Sequence, residues 1–387
     1  VRFTDAGHLL GSASVEMWLT EGEEKRKVVF SGDIGNRDQP IIRDPQYIKD
    51  ADYVLTESTY GDRLHDMDEK PDYTADLAAI IDETLGKGGN VIIPSFAVGR
   101  TQELLYFIRE MKEQGLVKSA PNFQVVVDSP LAGEATRIFS GDLHGYLDEE
   151  ALELVQDGTH MFNFTNLRMT ETSEESKALN LDPTPKVIIS ASGMCDAGRI
   201  RHHLKHNLWR PECTVLFAGY QAVGTLGRVL VDGADTVKLF GETIDVEAHI
   251  EQLDGISGHA DREGLIEWLR AIKTKPERVF LVHGDDLVCT KFSEQLRTEF
   301  GYQADAPFSG SEFDLAAGTW IRQTVGVPVR EETEKQKRNR TIFELLVAAG
   351  ERLMRVIRKN KESANKDIKK FTEEINALCE KWDRGEN

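Results

Sequence analysis

Five residues of this 387-residue chain stand where a β-like run gives way to a loop rich in glycine or serine, and all five are of types that bind metals or move protons. They are His8 in DAGHLLGSA, Asp33 in FSGDIG, Glu57 in TESTYG, His259 in SGHAD and His283 in LVHGDD. Neutral imidazoles around a shared carboxylate suit zinc, and an aspartate placed to bridge two ions suits a two-metal hydrolase. Taken singly, each residue also fits a helix-capping aspartate or a hydrogen-bonded core histidine. The recurrence of one context five times is what favours the metal reading.

Such residues, far apart in sequence, meet only if the elements that carry them share one edge. Strand-like and helical runs alternate along most of the chain. FQVVVDSPLAGEATRIF, PKVIISASGMCDAGRIRHHLKHNL and CTVLFAGYQAVGTLGRVLVDG each pass from a continuous Val/Ile/Leu-type run through a loop of small residues into a helix. Continuous apolar runs imply strands covered on both faces, hence a parallel sheet of the α/β class. In that architecture functional groups collect where strands end in loops, so the five residues can converge on one cleft.

Three of these strand-to-helix turns end in a Gly-Arg pair: Gly99-Arg100, Gly198-Arg199 and Gly227-Arg228. A helix N-terminus offers unpaired amides, and a guanidinium pairs bidentately with phosphate, so together they would line an anion cleft. The other reading is glycine for close helix packing and a solvated arginine. His202 and His206 stand four apart on a helix but have no third ligand on their face, and His65, His144, His160 and His249 carry no supporting pattern.

The formal net charge of −19 repels a polyanion at long range, so binding to nucleic acid would have to rest on local cations or on metal ions. Cys195, Cys213, Cys289 and Cys379 form no C-x-x-C pair, which argues against a thiolate metal site or a disulfide framework. No apolar run reaches the roughly 18 residues of a membrane helix, and a cytoplasmic location is expected. The chain opens on Val1 without an initiator methionine, which suggests a longer polypeptide upstream. After about Val329 the charged stretch REETEKQKRNR leads to two helical stretches. In the second, Ile368, Phe371, Ile375, Leu378 and Trp382 form one apolar stripe, to be covered by the body of the protein or by a partner helix. A homodimer or a helical protein partner through this region stays open.

The ordered series DAGHLLGSA, FSGDIG, ESTYG, PSFAVGRTQE, DSPLA, SASGM, GYQAVGTLGR, SGHAD and VHG resembles the metallo-β-lactamase-fold nucleases of the β-CASP group, which includes ribonuclease J and the endonuclease of mRNA 3′-end cleavage. The resemblance spans roughly residues 1 to 325. It implies an αββα sandwich, incomplete at its start, with an inserted parallel-sheet domain. Its divisions would be 1–61 for the first part of the metallo-β-lactamase domain, 62–255 for the insert, 256–329 for the returning RNA-specificity segment and 330–387 for a helical appendage. It implies two zinc ions, with His8 and His283 as ligands and Asp33 bridging. His259 would act as general acid, oriented by Glu57. Arg100, Ser192, Gly193, Arg199, Gly224, Thr225 and Arg228 would bind RNA phosphates. His283 stands where DNA-processing relatives typically have valine, so the implied substrate is RNA, single-stranded, cut to leave a 5′-phosphate. The family's His-x-His-x-Asp-His motif does not occur in this sequence. The expectation is that it precedes Val1 in a longer protein, and that residues 1–387 alone hold zinc poorly and cleave little. A noncatalytic scaffold subunit of an RNA-processing complex is the alternative; a small-molecule metallohydrolase would have no use for the long insert.

Overall fold

Alternating apolar residues open the chain as an antiparallel meander: β1 (Arg2–Asp5), β2 (Ala13–Glu21) and β3 (Glu24–Phe30), with Gly22 at positive φ in the turn between the last two. Next, β4 (Tyr53–Thr56) lies parallel to β3. The computed structural model describes residues 1–65, 72–141, 143, 145–253, 257–327, 353, 356–357 and 365–382; His144 and the charged stretch 330–340 lie outside the described residues.

The chain then leaves this sheet to build another. β5 (Val91–Pro94), β6 (Gln124–Val127), β7 (Leu167–Met169), β8 (Lys186–Ser190) and β9 (Thr214–Phe217) are followed by a hairpin, β10 (Thr236–Leu239) and β11 (Glu242–Asp245), and then by β12 (His249–Gln252). The second sheet runs β12-β9-β5-β8-β6-β7, and every pairing in it is parallel. Its central strands are buried along their length because helices cover both faces. Val91, Ile93, Val125, Val127, Val187 and Ile189 pack on one side with Leu77, Ile81, Leu104 and Ile108. The intervening Ile92, Val126 and Ile188 pack on the other with Ile200, Leu204 and Leu230. This is the period-2 alternation of a strand, used twice.

The return leg, β13 (Arg278–Leu281), inserts beside β4 and pairs with it in parallel, with β14 (Ala304–Asp305) outside it. The first sheet is therefore ordered β1-β2-β3-β4-β13-β14. One face holds Val29, Val54, Val279 and Leu281 against Trp268 and Phe292; the other packs Val28, Tyr53 and Phe280 against Phe313 and Trp320 of the hairpin β15 (Glu312–Asp314) and β16 (Thr319–Arg322). Because β3, β4 and β13 are parallel neighbours, the residues that follow them emerge at one edge. This delivers Asp33, Glu57 and His283 to the same place.

Residues 325–387 form a separate unit. Of the two helical stretches expected there, Asn365–Trp382 is a continuous helix in which Ile368, Phe371 and Ile375 are half-buried and the residues between them exposed. Most of the first stretch, and the side chains of Leu378, Cys379 and Trp382, lie outside the described residues. Among the described residues no helix is long and apolar enough to cross a membrane.

Candidate functional site

His8 occupies the loop between β1 and β2. The loop is closed by Ala6 N–H donating to Ser12 O, and the Ser12 hydroxyl accepts from both His8 N–H and Leu9 N–H at 3.1 Å. The His8 ring is fixed from the far side of the molecule: its Nδ1 lies 2.9 Å from the carbonyl oxygen of Gly258. A carbonyl only accepts, so Nδ1 carries the proton and Nε2 is left with its lone pair facing Asp33. Gly258 must be glycine here, since a Cβ would stand 2.9 Å from His8 Cε1.

Asp33 follows β3 by way of Gly32, held at φ +61°. Gly35 passes the His8 loop so closely that a Cβ would lie 1.9 Å from Gly7 O. Asp33 Oδ2 is 3.9 Å from His8 Nε2 and Asp33 Oδ1 is 3.5 Å from His283 Nε2. Each carboxylate oxygen thus faces a different imidazole, which is the disposition of a bridging ligand. Asp33 accepts no hydrogen bond from a described residue. His283 is held at φ +46°, a conformation uncommon outside glycine, at the end of β13.

His259 stands next to the helix Arg262–Arg270, whose N-cap Asp261 accepts from Gly264 N–H at 2.9 Å and, through its other oxygen, from His65 N–H at 3.1 Å. Its Nδ1 faces both oxygens of Glu57, at 3.1 and 3.2 Å. Glu57 is buried and fixed by Ile34 N–H, which donates to it at 2.5 Å. Burial opposes protonation of His259, but the hydrogen bond and charge of Glu57, aided by Asp33, outweigh it and raise its pKa. His8 goes the other way: burial, with some repulsion from His259, lowers its pKa against the pull of the Gly258 carbonyl. The two imidazoles, 4.3 Å apart between ring centroids, are thus shifted in opposite directions. Ligating atoms of His8, Asp33 and His259 lie within 4.8 Å of one another, so by distance alone His259 could also bind a metal. His65, unsupported by pattern, sits behind this cluster with Nε2 3.0 Å from His259 O.

The insert reaches the same region. A Cβ on Gly99 would meet the Leu9 side chain at 2.2 Å, which puts the turn after β5 against the His8 loop. The turn after β8 joins it, since a Cβ on Gly193 would touch the Phe96 ring at 3.0 Å. The turn after β9 follows, with Gln221 Nε2 donating to Gly193 O at 3.1 Å and Gly227 N–H to Met194 O. Ser192, Gly193, Gly224 and Thr225 thus belong to adjoining loops.

The three arginines are less free than their spacing suggests. Arg100 pairs with Glu103 on its own helix, Arg228 with Asp232, and Arg199 with the buried Asp128, with Thr170 and with Glu171 O. The placement of Gly227-Arg228 is also corrected: the pair lies inside the short helix Leu226–Val231, which Thr225 caps, and Gly224 at φ +88° makes the turn instead. His202 stacks on Phe240, 4.4 Å between centroids, and is not in the group of metal-capable side chains found among the described residues. Reading residue types alone missed Phe96 and Tyr220. Both lie in the loops just described and are about half exposed. The signal was present, because an aromatic residue in a strand-end loop of small residues has no core to enter.

Strand ends that gather three histidines around one open carboxylate, with a hydrogen-bonded His-Glu pair beside them, define a metallohydrolase-type centre. The sequence matches the Beta-Casp domain over residues 101–230 and the Zn-dependent metallo-hydrolase RNA specificity domain over residues 243–307. It is 39% identical over 286 residues to ribonuclease TTHA0252 of Thermus thermophilus, covering 73% of this chain and 62% of that protein. It is 31% identical over 302 residues to transcription termination factor FttA of Methanosarcina mazei, covering 76% and 46%. With an RNase J-like protein of Methanocaldococcus jannaschii the identity is 30% over 285 residues, covering 73% and 63%. The chain thus spans about half to somewhat under two thirds of the length of these relatives. It belongs to the β-CASP family of the metallo-β-lactamase fold.

Proposed function

We propose that this chain belongs to a zinc-dependent ribonuclease that hydrolyses single-stranded RNA and leaves a 5′-phosphate. The observation that carries the reading is the carboxylate of Asp33, which faces His8 with one oxygen and His283 with the other and accepts no hydrogen bond from a described residue. A carboxylate flanked by two imidazoles and engaged by no donor of the described residues has both oxygens available to a cation. The donor set of nitrogen and carboxylate oxygen fits zinc, with His8 and His283 as separate ligands and Asp33 shared. Bound there, zinc would supply Lewis-acid stabilisation of the phosphodiester and activation of water.

The protein's own part is to hold and transfer a proton. Nδ1 of His259 is engaged by Glu57, so Nε2 is the atom that gives a proton to the departing ribose 3′-oxygen. Glu57 orients the ring and balances its charge. The half-exposed Phe96 and Tyr220 offer faces on which unstacked bases can lie, which favours single strands over duplex. The adjoining loops with Ser192, Gly193, Gly224 and Thr225 would take the backbone phosphates.

A single-stranded RNA labelled at its 3′ end, incubated with zinc and the catalytically competent protein rather than residues 1–387 alone, tests this. The expected result is fragments that accept ligation only through a 5′-phosphate, and loss of cleavage in Asp33→Ala and His283→Ala. Fragments bearing a 5′-hydroxyl, or cleavage that survives Asp33→Ala, would overturn it. Tight RNA binding without cleavage, with zinc bound, would favour the scaffold reading.

A further inference from the structure

A cleft of about 710 Å³ opens between the loop that follows Asp33 and the insert, and its lining contains none of His8, Asp33, Glu57, His259 or His283. Of the fifteen described residues that line it, seven are Asp or Glu and one, Arg43, is basic. Arg43 already donates from Nε to Leu147 O at 2.8 Å. Three of the acids have local roles: Asp72 and Asp148 cap the helices Tyr73–Gly86 and Glu149–Gln156, and Asp44 accepts from Asp38 N–H at 2.8 Å. Glu110 accepts from the Thr74 hydroxyl at 2.7 Å, which leaves its second oxygen without that partner.

The independent observation is Tyr106. It is 4% exposed, it lines the cleft, and its hydroxyl has no hydrogen-bond partner among the described residues. Burial first, then the carboxylates of Glu150, Glu110 and Asp148, raise the pKa of that hydroxyl against the opposing charge of Arg109. The side chain is buried while its hydroxyl, engaged by no described residue, is left to bond with what enters the cleft. The wall beside it is aromatic, with the Tyr73 and Phe107 rings 5.7 Å apart between centroids.

A hard divalent ion needs several oxygens converging on one point. Among the described residues the acids of this cleft make no such convergence; the one group of three or more metal-capable side chains is that of His8, Asp33 and His259. Separated carboxylates around an aromatic wall suit instead a ligand with separated cations and an apolar stem. Ammonium groups pair with the carboxylates, one N–H meets the Tyr106 oxygen, and the methylenes lie on the rings. We propose that this cleft is a binding site for a linear aliphatic polyamine of the spermidine type.

The site would not be isolated from the metal-facing cluster. Gln39, on the cleft wall, donates from Nε2 at 3.0 Å to the carbonyl of Gly258, the same oxygen that holds His8 Nδ1. A ligand that braces the Gln39 loop therefore bears on the contact that orients His8.

Isothermal titration of the protein with spermidine, with magnesium chloride in parallel, tests the assignment. Because a chain of net charge −19 attracts any polycation diffusely, the control is Glu21→Gln with Glu23→Gln, two exposed carboxylates elsewhere. Expected are saturable binding near one spermidine per chain, at least tenfold weaker affinity in Glu110→Gln/Glu150→Gln, at least threefold weaker in Tyr106→Phe, and no change in the control. Should the double variant fold poorly, Tyr106→Phe, which removes one oxygen, decides alone. Non-saturable binding, equal weakening in the control, or magnesium displacing spermidine at equal concentration would overturn the proposal.

Discussion

Two clusters in this molecule use the same ingredients at the ends of parallel strands and come out opposite. At the edge of the first sheet, Asp33 lies among His8, His259 and His283, with its side chain 37% exposed and no hydrogen bond from any described residue. At the end of β6 in the insert, Asp128 is fully buried and accepts from His203 Nε2 and the Ser176 hydroxyl at 2.6 Å, from Arg199 at 2.9 Å and from the Thr170 hydroxyl. His203 is saturated too, with Nδ1 2.9 Å from Asn180 Oδ1. A histidine beside an aspartate is therefore no sign of chemistry in itself. What separates a site from a brace is whether the donors and acceptors are used up within the fold.

The sharpest way to test that contrast is on the open cluster. Replacing His259 with alanine in the catalytically competent protein should lower turnover by about 10² to 10⁴, the range for losing a general acid, while the zinc content measured by atomic absorption stays unchanged. Loss of zinc would instead make His259 a ligand and extend the open cluster by one donor.

On the closed cluster the effect should fall on folding. Asp128→Ala leaves a buried histidine and a guanidinium without their partner and should cost about 3–5 kcal/mol in urea denaturation. Asp33→Ala, which breaks no hydrogen bond to a described residue, should stay within about 0.5 kcal/mol of the parent protein when no metal is present. Equal losses in the two variants would erase the distinction.

The pH dependence follows from the same bonds. Burial works against ionisation of Asp128, but the hydrogen bonds from His203, Ser176 and Thr170 outweigh it and hold its pKa below the ordinary 3.8. A carboxyl depressed in the folded state contributes stability above its unfolded value and loses it as the pH falls. The stability advantage of the parent protein over Asp128→Asn should therefore be constant above about pH 5 and shrink as the pH drops below about 3.8. An advantage independent of pH down to 2 would show that Asp128 is not held ionised.

The smallest effect separates the arginines. Arg228, in a half-exposed pair on a helix surface, can exchange Asp232 for a phosphate, so Arg228→Ala should lower the salt slope of RNA binding by at most about one unit and leave stability alone. Arg199→Ala should do the reverse, since its guanidinium braces Asp128, Thr170 and the Glu171 carbonyl. A salt slope changed by Arg199→Ala with no loss of stability would return it to the phosphate-binding set.

How far the sequence could be read differed between these two places. The open cluster was visible because its residues sit in glycine-rich loops at strand ends, where a polar side chain has no helix or core to serve. The closed cluster was not, although Asp128 lies in the quoted DSPLA and His203 beside His202. Its partners Thr170, Ser176 and Arg199 come from separate elements, and nothing in their spacing along the chain brings them together. Gly227-Arg228 misled for a related reason: the same dipeptide serves in a turn or in a helix, and the Thr225 cap decides which.

By itself the sequence determined the elements and their class. Uninterrupted Val/Ile/Leu runs make fully buried parallel strands whatever their order, since only helices on both faces can cover them, and glycines at 32 and 258 leave room that no other residue would. Tertiary structure alone decided that β13 returns to lie beside β4, 226 residues after Thr56 as the chain passes Val282, and so that His283 meets Asp33. It also decided the state of each imidazole. A proton is placed by what faces it, and the Gly258 carbonyl at His8 and the Glu57 carboxylate at His259 come from remote segments that only the folded chain brings within 3.2 Å.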